Sequence, residues 1–272
     1  MRSALPLLVG VALFAGCGGG DVDANAVLSQ TASNLPKIKS GKPLRVKLLV
    51  EPREGEPFGF ELDGAFRLCD HRPLPQLDVA YTQIANGREA TVQLISTGEA
   101  GYVEVDGTAY ELDDAAEADL SSACEELGGG GGGLSTLQVG DWVRDPEGER
   151  DGDVDRVTGE LDVVAVVNDL VDIARAFGGS SLARLDRDDA KQIQDATEES
   201  RFELETGHED RLLRELVLQA KLGFEVRDEL REALGDVVGG TITFELELDR
   251  PNTQVEISAP PHPRPSSELP TG

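Results

Sequence analysis

Thr241-Ile242-Thr243-Phe244-Glu245-Leu246-Glu247-Leu248 is the stretch from which the fold is read. Its apolar residues, Ile242, Phe244, Leu246 and Leu248, alternate with Thr241, Thr243, Glu245 and Glu247. Successive side chains of a strand point to opposite faces, so this period of two predicts a strand with one face for a core and one for water. The same period recurs upstream. Leu44, Val46, Leu48 and Val50 alternate with Arg45 and Lys47, and Phe58, Phe60, Leu62, Phe66 and Leu68 alternate with Glu61, Asp63 and Arg67, with Gly64 filling the gap in the apolar face. Leu212, Leu216, Leu218, Ala220 and Leu222 alternate with Glu215, Gln219 and Lys221, interrupted by Arg214.

Weaker alternation predicts strands over 77–84, 90–97, 102–105 and 108–112, separated by Asn86-Gly87, Thr97-Gly98 and Asp106-Gly107, which are hairpin turn pairs. Val154, Val157, Gly159 and Leu161 sit in an acidic segment that reads as a hairpin, and Phe202 with Leu204 as a short strand. Helical spacing predicts helices over 23–35, 113–127, 163–177 and 186–200, and a short helix or turn over 228–234. Gly128 to Gly133 reads as a flexible connector, because no Gly-Lys-Ser/Thr follows to make a phosphate loop. Strands and helices do not alternate in a parallel β-α-β rhythm. The expected class is therefore α+β, an antiparallel sheet whose apolar face the helices are available to cover. Thin helices would not fill a strongly curved sheet, and an apolar concavity would then admit a ligand.

The first residues decide the compartment. Arg2 precedes an apolar run from Leu5 to Phe14, broken by Pro6 and Gly10, and then Ala15, Gly16 and Cys17. This is too short to span a bilayer. It resembles the lipobox of bacterial lipoproteins, which implies a signal peptide over 1–16 and acyl chains on Cys17. The alternative is an ordinary secretory signal cleaved near Ala15. Lipidation would place the chain on the extracytoplasmic face of a cell membrane, with 17–22 as a tether, 23–260 as one domain and 261–272 as a disordered, proline-rich tail. With Cys17 acylated, Cys69 and Cys124 remain as an even pair in an oxidising compartment, which predicts a disulfide; two separate buried thiols are the alternative.

Composition excludes several partners. The formal net charge is -27, which disfavours nucleic acid and anionic lipid headgroups. Aromatics are only 4%, so an interior of Leu, Val, Ile and Ala suits acyl chains better than stacked bases. His71, His208 and His262 are far apart and lack metal-site spacing. Asp151, Asp153 and Asp155 resemble the start of a calcium loop, but Arg156 stands where glycine is needed and Asp162 where the loop needs Glu, so a solvated hairpin is the simpler reading. No serine elbow or triad is legible, and neither enzymatic activity nor a cofactor is expected.

Three segments carry a family likeness. The run GLSTLQVGDWVRDPEGERDGDVDRVTGELDVVAVVNDL from Gly133 to Leu170, the strand-turn-strand from Phe202 to Leu218, and Gly240 to Pro260 with Pro251, Asn252, Val255 and Ile257 resemble the actinobacterial lipid-carrier lipoproteins of the LppX and LprG type. The resemblance implies a curved antiparallel β-sheet of half-barrel form with helices covering the concave face, similar to periplasmic lipoprotein carriers, with C-terminal strands through 260 and a cavity for the acyl chains of a lipid or glycolipid ligand. The glycine run, the cysteine pair, the acidity and Arg156 depart from it. The candidate cavity-lining residues are Leu44, Val46, Leu48, Phe60, Leu62, Phe66, Leu216, Leu218, Leu222, Ile242, Phe244 and Leu246, each equally compatible with an ordinary helix-covered core. The expected function is lipid or glycolipid binding for transport or presentation in the cell envelope. The alternative is a non-catalytic envelope module whose acidic surface binds a protein or cell-wall partner.

Overall fold

The computed structural model describes residues 20–69, 71–128, 138–176, 184–223 and 239–270, with side chains of 123–128 and 173–176 excepted. The expected signal segment, Cys17, the side chain of Cys124, the glycines 129–133 and the helix over 228–234 lie outside this description. The strands are β1 (Ser40–Pro52), β2 (Phe58–Arg67), β3 (Gln76–Ala85), β4 (Arg88–Thr97), β5 (Gly101–Val105), β6 (Thr108–Glu111), β7 (Val143–Asp151), β8 (Val154–Leu161), β9 (Thr197–Gly207), β10 (Leu213–Gly223) and β11 (Gly239–Leu248). The helices are α1 (Ala24–Asn34), α2 (Asp114–Gly128), α3 (Val163–Ala176) and α4 (Arg187–Ala196).

All eleven strands form one antiparallel sheet in the order β6-β5-β4-β3-β2-β1-β11-β10-β9-β8-β7. It is a curved α+β sheet that does not close into a barrel. The chain builds one half, β1 to β6, as successive hairpins and returns to build the other half from β7 to β11. The two halves join where β1 pairs with β11, through Val46 opposite Leu246 and Leu48 opposite Phe244. That seam aligns the two most regular alternating stretches in the sequence.

Helix boundaries follow from carboxylate caps. Asp23 accepts from the Ala26 amide at 3.1 Å, Asp113 from Ala116 at 2.9 Å, Asp162 from Ala165 at 3.0 Å, and Asp186 from Asp188 and Asp189 at 2.8 and 2.9 Å. Helix α1 buries Val27, Leu28 and Thr31 in a cluster that also contains Trp142, Val157, Leu161, Val166, Phe202, Leu204 and Leu216. Trp142 donates its ring N–H to Asp169 at 2.8 Å and so ties α3 to the start of β7.

Three local features differ from the sequence reading. Helix α4 stops at Ala196, and β9 runs for 11 residues instead of forming only around Phe202 and Leu204. Its polar start is stabilised across the sheet, where the Lys221 ammonium meets Glu199 at 3.0 Å. Arg214 does not interrupt the apolar face, because the ladder shifts register between Leu213 and Glu215 and the guanidinium turns to Asp210 at 2.6 Å. Beyond β11, residues 253–260 form no strand, although Val255 is buried.

Each edge strand is paired in part with a segment from outside the sheet, which shortens the open edge that would template aggregation. On β7, Asp21 bridges Glu149, the Arg150 amide donates to the Gly20 carbonyl at 3.0 Å and Val22 donates to Gly148 at 3.2 Å. Gly148 is required there, since a Cβ would lie 2.6 Å from the Val22 carbonyl oxygen. On β6, Glu111 donates to Arg264 at 2.8 Å and Arg264 donates to Ala109 at 2.9 Å. The tail from 261 is therefore not without structure. Backbone pairing of Arg264 holds it where its composition predicts disorder.

The acidic hairpin also differs from the expected solvated loop. Asp155 is fully buried. Its carboxylate accepts from Arg150 at 2.8 Å, from Arg211, and from the His208 ring at 3.1 Å. Burial alone would push the Asp155 carboxyl up, but the bonds from Arg150, Arg211 and His208 outweigh it and hold the group well below the usual carboxylate range. The cluster fastens the β7–β8 hairpin to the β9–β10 turn. Removing the charge takes a shared acceptor from Arg211 and Arg150, which are only partly covered, and from His208. Asp155→Asn is expected to cost about 1.5–3 kcal/mol at pH 7 by urea unfolding. Because the folded pKa is lowered, this stabilisation is present above the ordinary carboxylate pKa of about 4 and is lost below it, so the gap between variant and parent should narrow as pH falls.

Candidate functional site

Register places every candidate lining residue on one face of the sheet. One row across the strands reads Val157, Leu204, Leu216, Leu246, Val46, Leu62, Tyr81 and Val92. The next reads Phe202, Leu218, Phe244, Leu48 and Phe60, and a third Ala220, Ile242, Val50 and Phe58. Phe66 lies opposite Gly41, and Leu44 opposite Leu248. Leu222 pairs with Gly240 at the far end of β10.

Burial falls along each row. In the first, Val157, Leu204 and Leu216 are closed off, Leu246, Val46 and Leu62 are half-buried, and Tyr81 is 37% exposed. In the third, Ala220 is buried while Ile242 is 36% and Phe58 46% exposed. The gradient has a simple cause. Among the described residues, helix α1 lies over β7 and β8 and α4 over β9 and β10, and the strands from β11 to β4 carry the same apolar face beyond these two helices.

The candidate residues therefore fall into two groups. Leu216, Leu218 and Leu222 belong to the closed core, and Leu44, Phe66, Phe244 and Leu246 pack against its margin. Val46, Leu48, Phe60, Leu62 and Ile242 form an apolar floor that water reaches. Sequence reasoning missed the extension of this floor onto β3 and β4. Tyr81 stacks on Phe60 with ring centroids 6.1 Å apart, and Tyr81 lies opposite Val92. The alternation Leu77, Val79, Tyr81 was the available signal. Phe58, Tyr81 and Ile242 share this face, and so large an exposed apolar surface marks a binding region more often than chance exposure.

The opposite face is a charge ladder. Arg156, Glu205, Glu215, Glu247, Arg45 and Asp63 stand in line across six strands. Arg45 bonds Asp63 at 2.9 Å and Glu247 at 3.0 Å, and Arg156 bonds Glu205. Burial pushes the Glu215 carboxyl up, and the neighbouring Glu205, Glu203 and Glu247 push it further. An open cleft of about 210 Å³ lies on this face between Arg45, Lys47, Glu61, Asp63, Glu215, Glu245 and Glu247. A second cleft, of about 430 Å³, lies beside the N-terminal segment against Asp21, Glu147, Gly148, Glu149 and Thr158. Neither is apolar. Among the described residues no group of His, Cys, Asp or Glu is arranged to hold a metal ion, and no helix is long and apolar enough to cross a membrane.

No protein-family model matches the chain, and no curated protein matches it. Among solved structures, the chain is similar to the crystal structure of LprF from Mycobacterium bovis, at 13% identity and a TM-score of 0.39, over 89% of this chain and 99% of that one.

The two groups of residues separate by mutation. Phe202 is fully buried, and Phe202→Ala is expected to lower stability by about 3–5 kcal/mol. Phe58 is half in water, and Phe58→Ala is expected to cost no more than about 1 kcal/mol in the same urea titration. Equal losses would mean that the floor is covered in solution.

Proposed function

We propose that this chain is a membrane-anchored lipoprotein that binds a lipid or glycolipid by its acyl chains and carries or presents it in the cell envelope. The observation that carries this reading is the apolar floor from Val46 to Tyr81, continuous with the core yet half-exposed. A protein with so high a charge density does not need exposed Phe58, Tyr81 and Ile242 for stability. Burying that surface against acyl chains would contribute about 25 cal/mol per square ångström.

The lipobox-like sequence ending in Cys17 supports the anchor, and two or more acyl chains would hold it where one is marginal. Cys69 is disulfide-bonded, which supports its pairing with Cys124 and an oxidising compartment. No step of bond making or breaking is part of the reading, because the floor presents only carbon and a phenol. The resemblance of the segments Gly133 to Leu170, Phe202 to Leu218 and Gly240 to Pro260 to lipid-carrier lipoproteins points the same way.

The second reading, an interaction module for a basic envelope partner, draws on the outer face. Glu215 and Glu245 stand there beside the paired charges Arg45 and Lys47. It leaves the exposed floor without a role, and lipid binding is the better account.

Native mass spectrometry with organic extraction, on chain purified from a host related to the source, tests the proposal. A bound lipid of defined mass is expected. It should be lost in Leu62→Arg and Ile242→Glu, whose half-exposed positions let the sheet fold. A folded parent that carries no lipid and takes none from added mixtures would shift the assignment to the interaction module.

A further inference from the structure

Lys37, Lys39 and Lys42 lie within six residues of one another at the entry to β1. All three are exposed, and none has an ion-pair partner among the described residues. Every other lysine does: Lys47 meets Glu61 at 3.1 Å, Lys221 meets Glu199 at 3.0 Å, and Lys191 meets Asp195 at 2.5 Å. In a chain of net charge -27, three adjacent free ammonium groups are the exception that needs a cause.

The segment that carries them is held in place. The Lys39 amide donates to the Asn252 side chain at 2.7 Å, and Asn252 returns a bond from its side-chain nitrogen to the Lys37 carbonyl at 3.1 Å. Ser40 accepts from the Asn252 amide at 2.7 Å and donates its hydroxyl to the Thr253 carbonyl at 2.6 Å. This lashing sets Arg250, 71% exposed, beside the lysines, with Asp249 its partner at 3.3 Å. Asp210, further along the rim, is already bonded to Arg214, and Glu209 beside it and Asp151 and Asp153 of the β7–β8 hairpin are exposed on the same rim, towards its β7 end.

Register tells which rim this is. Leu44 of β1 lies opposite Leu248, Glu247 opposite Glu215, Leu213 opposite Thr206, Gly207 opposite Val154, and Val154 opposite Asp151. The lysine segment and the β7–β8 hairpin therefore share one rim of the sheet. Gly20 is paired to Arg150 at the last turn of that hairpin. Only three peptide units separate Gly20 from Cys17, a reach of at most about 10 Å. An anchor at Cys17 would hold this rim, and not the opposite one, against the bilayer.

We propose that Lys37, Lys39 and Lys42, with Arg250 beside them, form a docking patch for the anionic phospholipid headgroups of the membrane that holds the anchor. The acidity of the whole molecule does not prevent this. Charges further away than a Debye length, about 10 Å at 0.1 M salt, are largely screened, and strands of ten residues extend some 30 Å from this rim. The patch fixes the domain's orientation: Phe58 and Ile242, at the opposite ends of β2 and β11, face away from the bilayer. The inference rests on anchoring at Cys17 and is independent of what the apolar floor binds.

Lysine footprinting tests it. The acylated chain is reconstituted into vesicles of phosphatidylcholine alone, or with an equal part of phosphatidylglycerol, and labelled with an amine-reactive reagent. On anionic vesicles Lys37, Lys39 and Lys42 should react about threefold or more slowly than on neutral ones, while Lys191 and Lys221 react alike on both, and 1 M salt, with a Debye length of about 3 Å, should abolish the difference. Lys39→Glu should reduce the protection of Lys37 and Lys42. Equal labelling of the three lysines on both vesicle types overturns the proposal. If the N-terminal peptide carries no acyl mass, the anchoring reading fails separately. Flotation of that chain then decides the patch: capture by phosphatidylglycerol vesicles, lost in Lys39→Glu, supports it, and no capture overturns it.

Discussion

The structure depends on one mismatch of widths. Eleven strands about 4.8 Å apart make a sheet close to 50 Å across, while helices about 10 Å thick cover only part of it. Apolar side chains form the middle of the inward face from β8 to β3, in the rows through Leu216, Leu218 and Ala220, and among the described residues they extend beyond what α1 and α4 cover. Core and floor are then one surface under two conditions. Where α1 and Trp142 close over Val157 and Phe202 the surface is dry, and where they stop, at Val46 and Leu62, it meets water.

The rest of the molecule carries features that oppose association through its outer face and edges. The outer face alternates Arg45 and Arg156 with glutamates across the sheet, and excess negative charge repels a second copy. Gly20 to Val22 pair with the end of β7 and Arg264 with β6, which shortens the run of free backbone groups each edge offers another chain. The Asp155 cluster locks the hairpin and turn at the rim from which the N-terminal segment departs.

Much of this was legible in the sequence because alternation is a direct record of which face is wet. The strands at Leu44 to Val50, Phe58 to Arg67 and Ile242 to Leu248 and their apolar faces follow from alternation alone, whereas the pairing of β1 with β11 does not, because periodicity is silent about neighbours. What was not legible depended on partners distant in sequence. The polar start of β9 is a strand because Lys221 and Arg53 pair with its glutamates, and Thr197 to Ser200 give no sign of that. Asp155 reads as a solvated acid until Arg211, far along the chain, is found beside it. The division of candidate residues into Leu216, Leu218 and Leu222 under cover and Leu48, Phe60 and Leu62 on the open floor is set by where helices lie. Periodicity identifies the face and is silent about its cover.

The central claim, that acyl chains lie on the floor between β11 and β3, is tested most directly by photo-crosslinking with a lipid whose acyl chain carries a diazirine, followed by peptide mapping. The account predicts adducts on Val46, Leu48, Phe60, Leu62, Tyr81 and Ile242, competed by unlabelled lipid. Adducts confined to the charged outer face, or spread over the chain without competition, would contradict it.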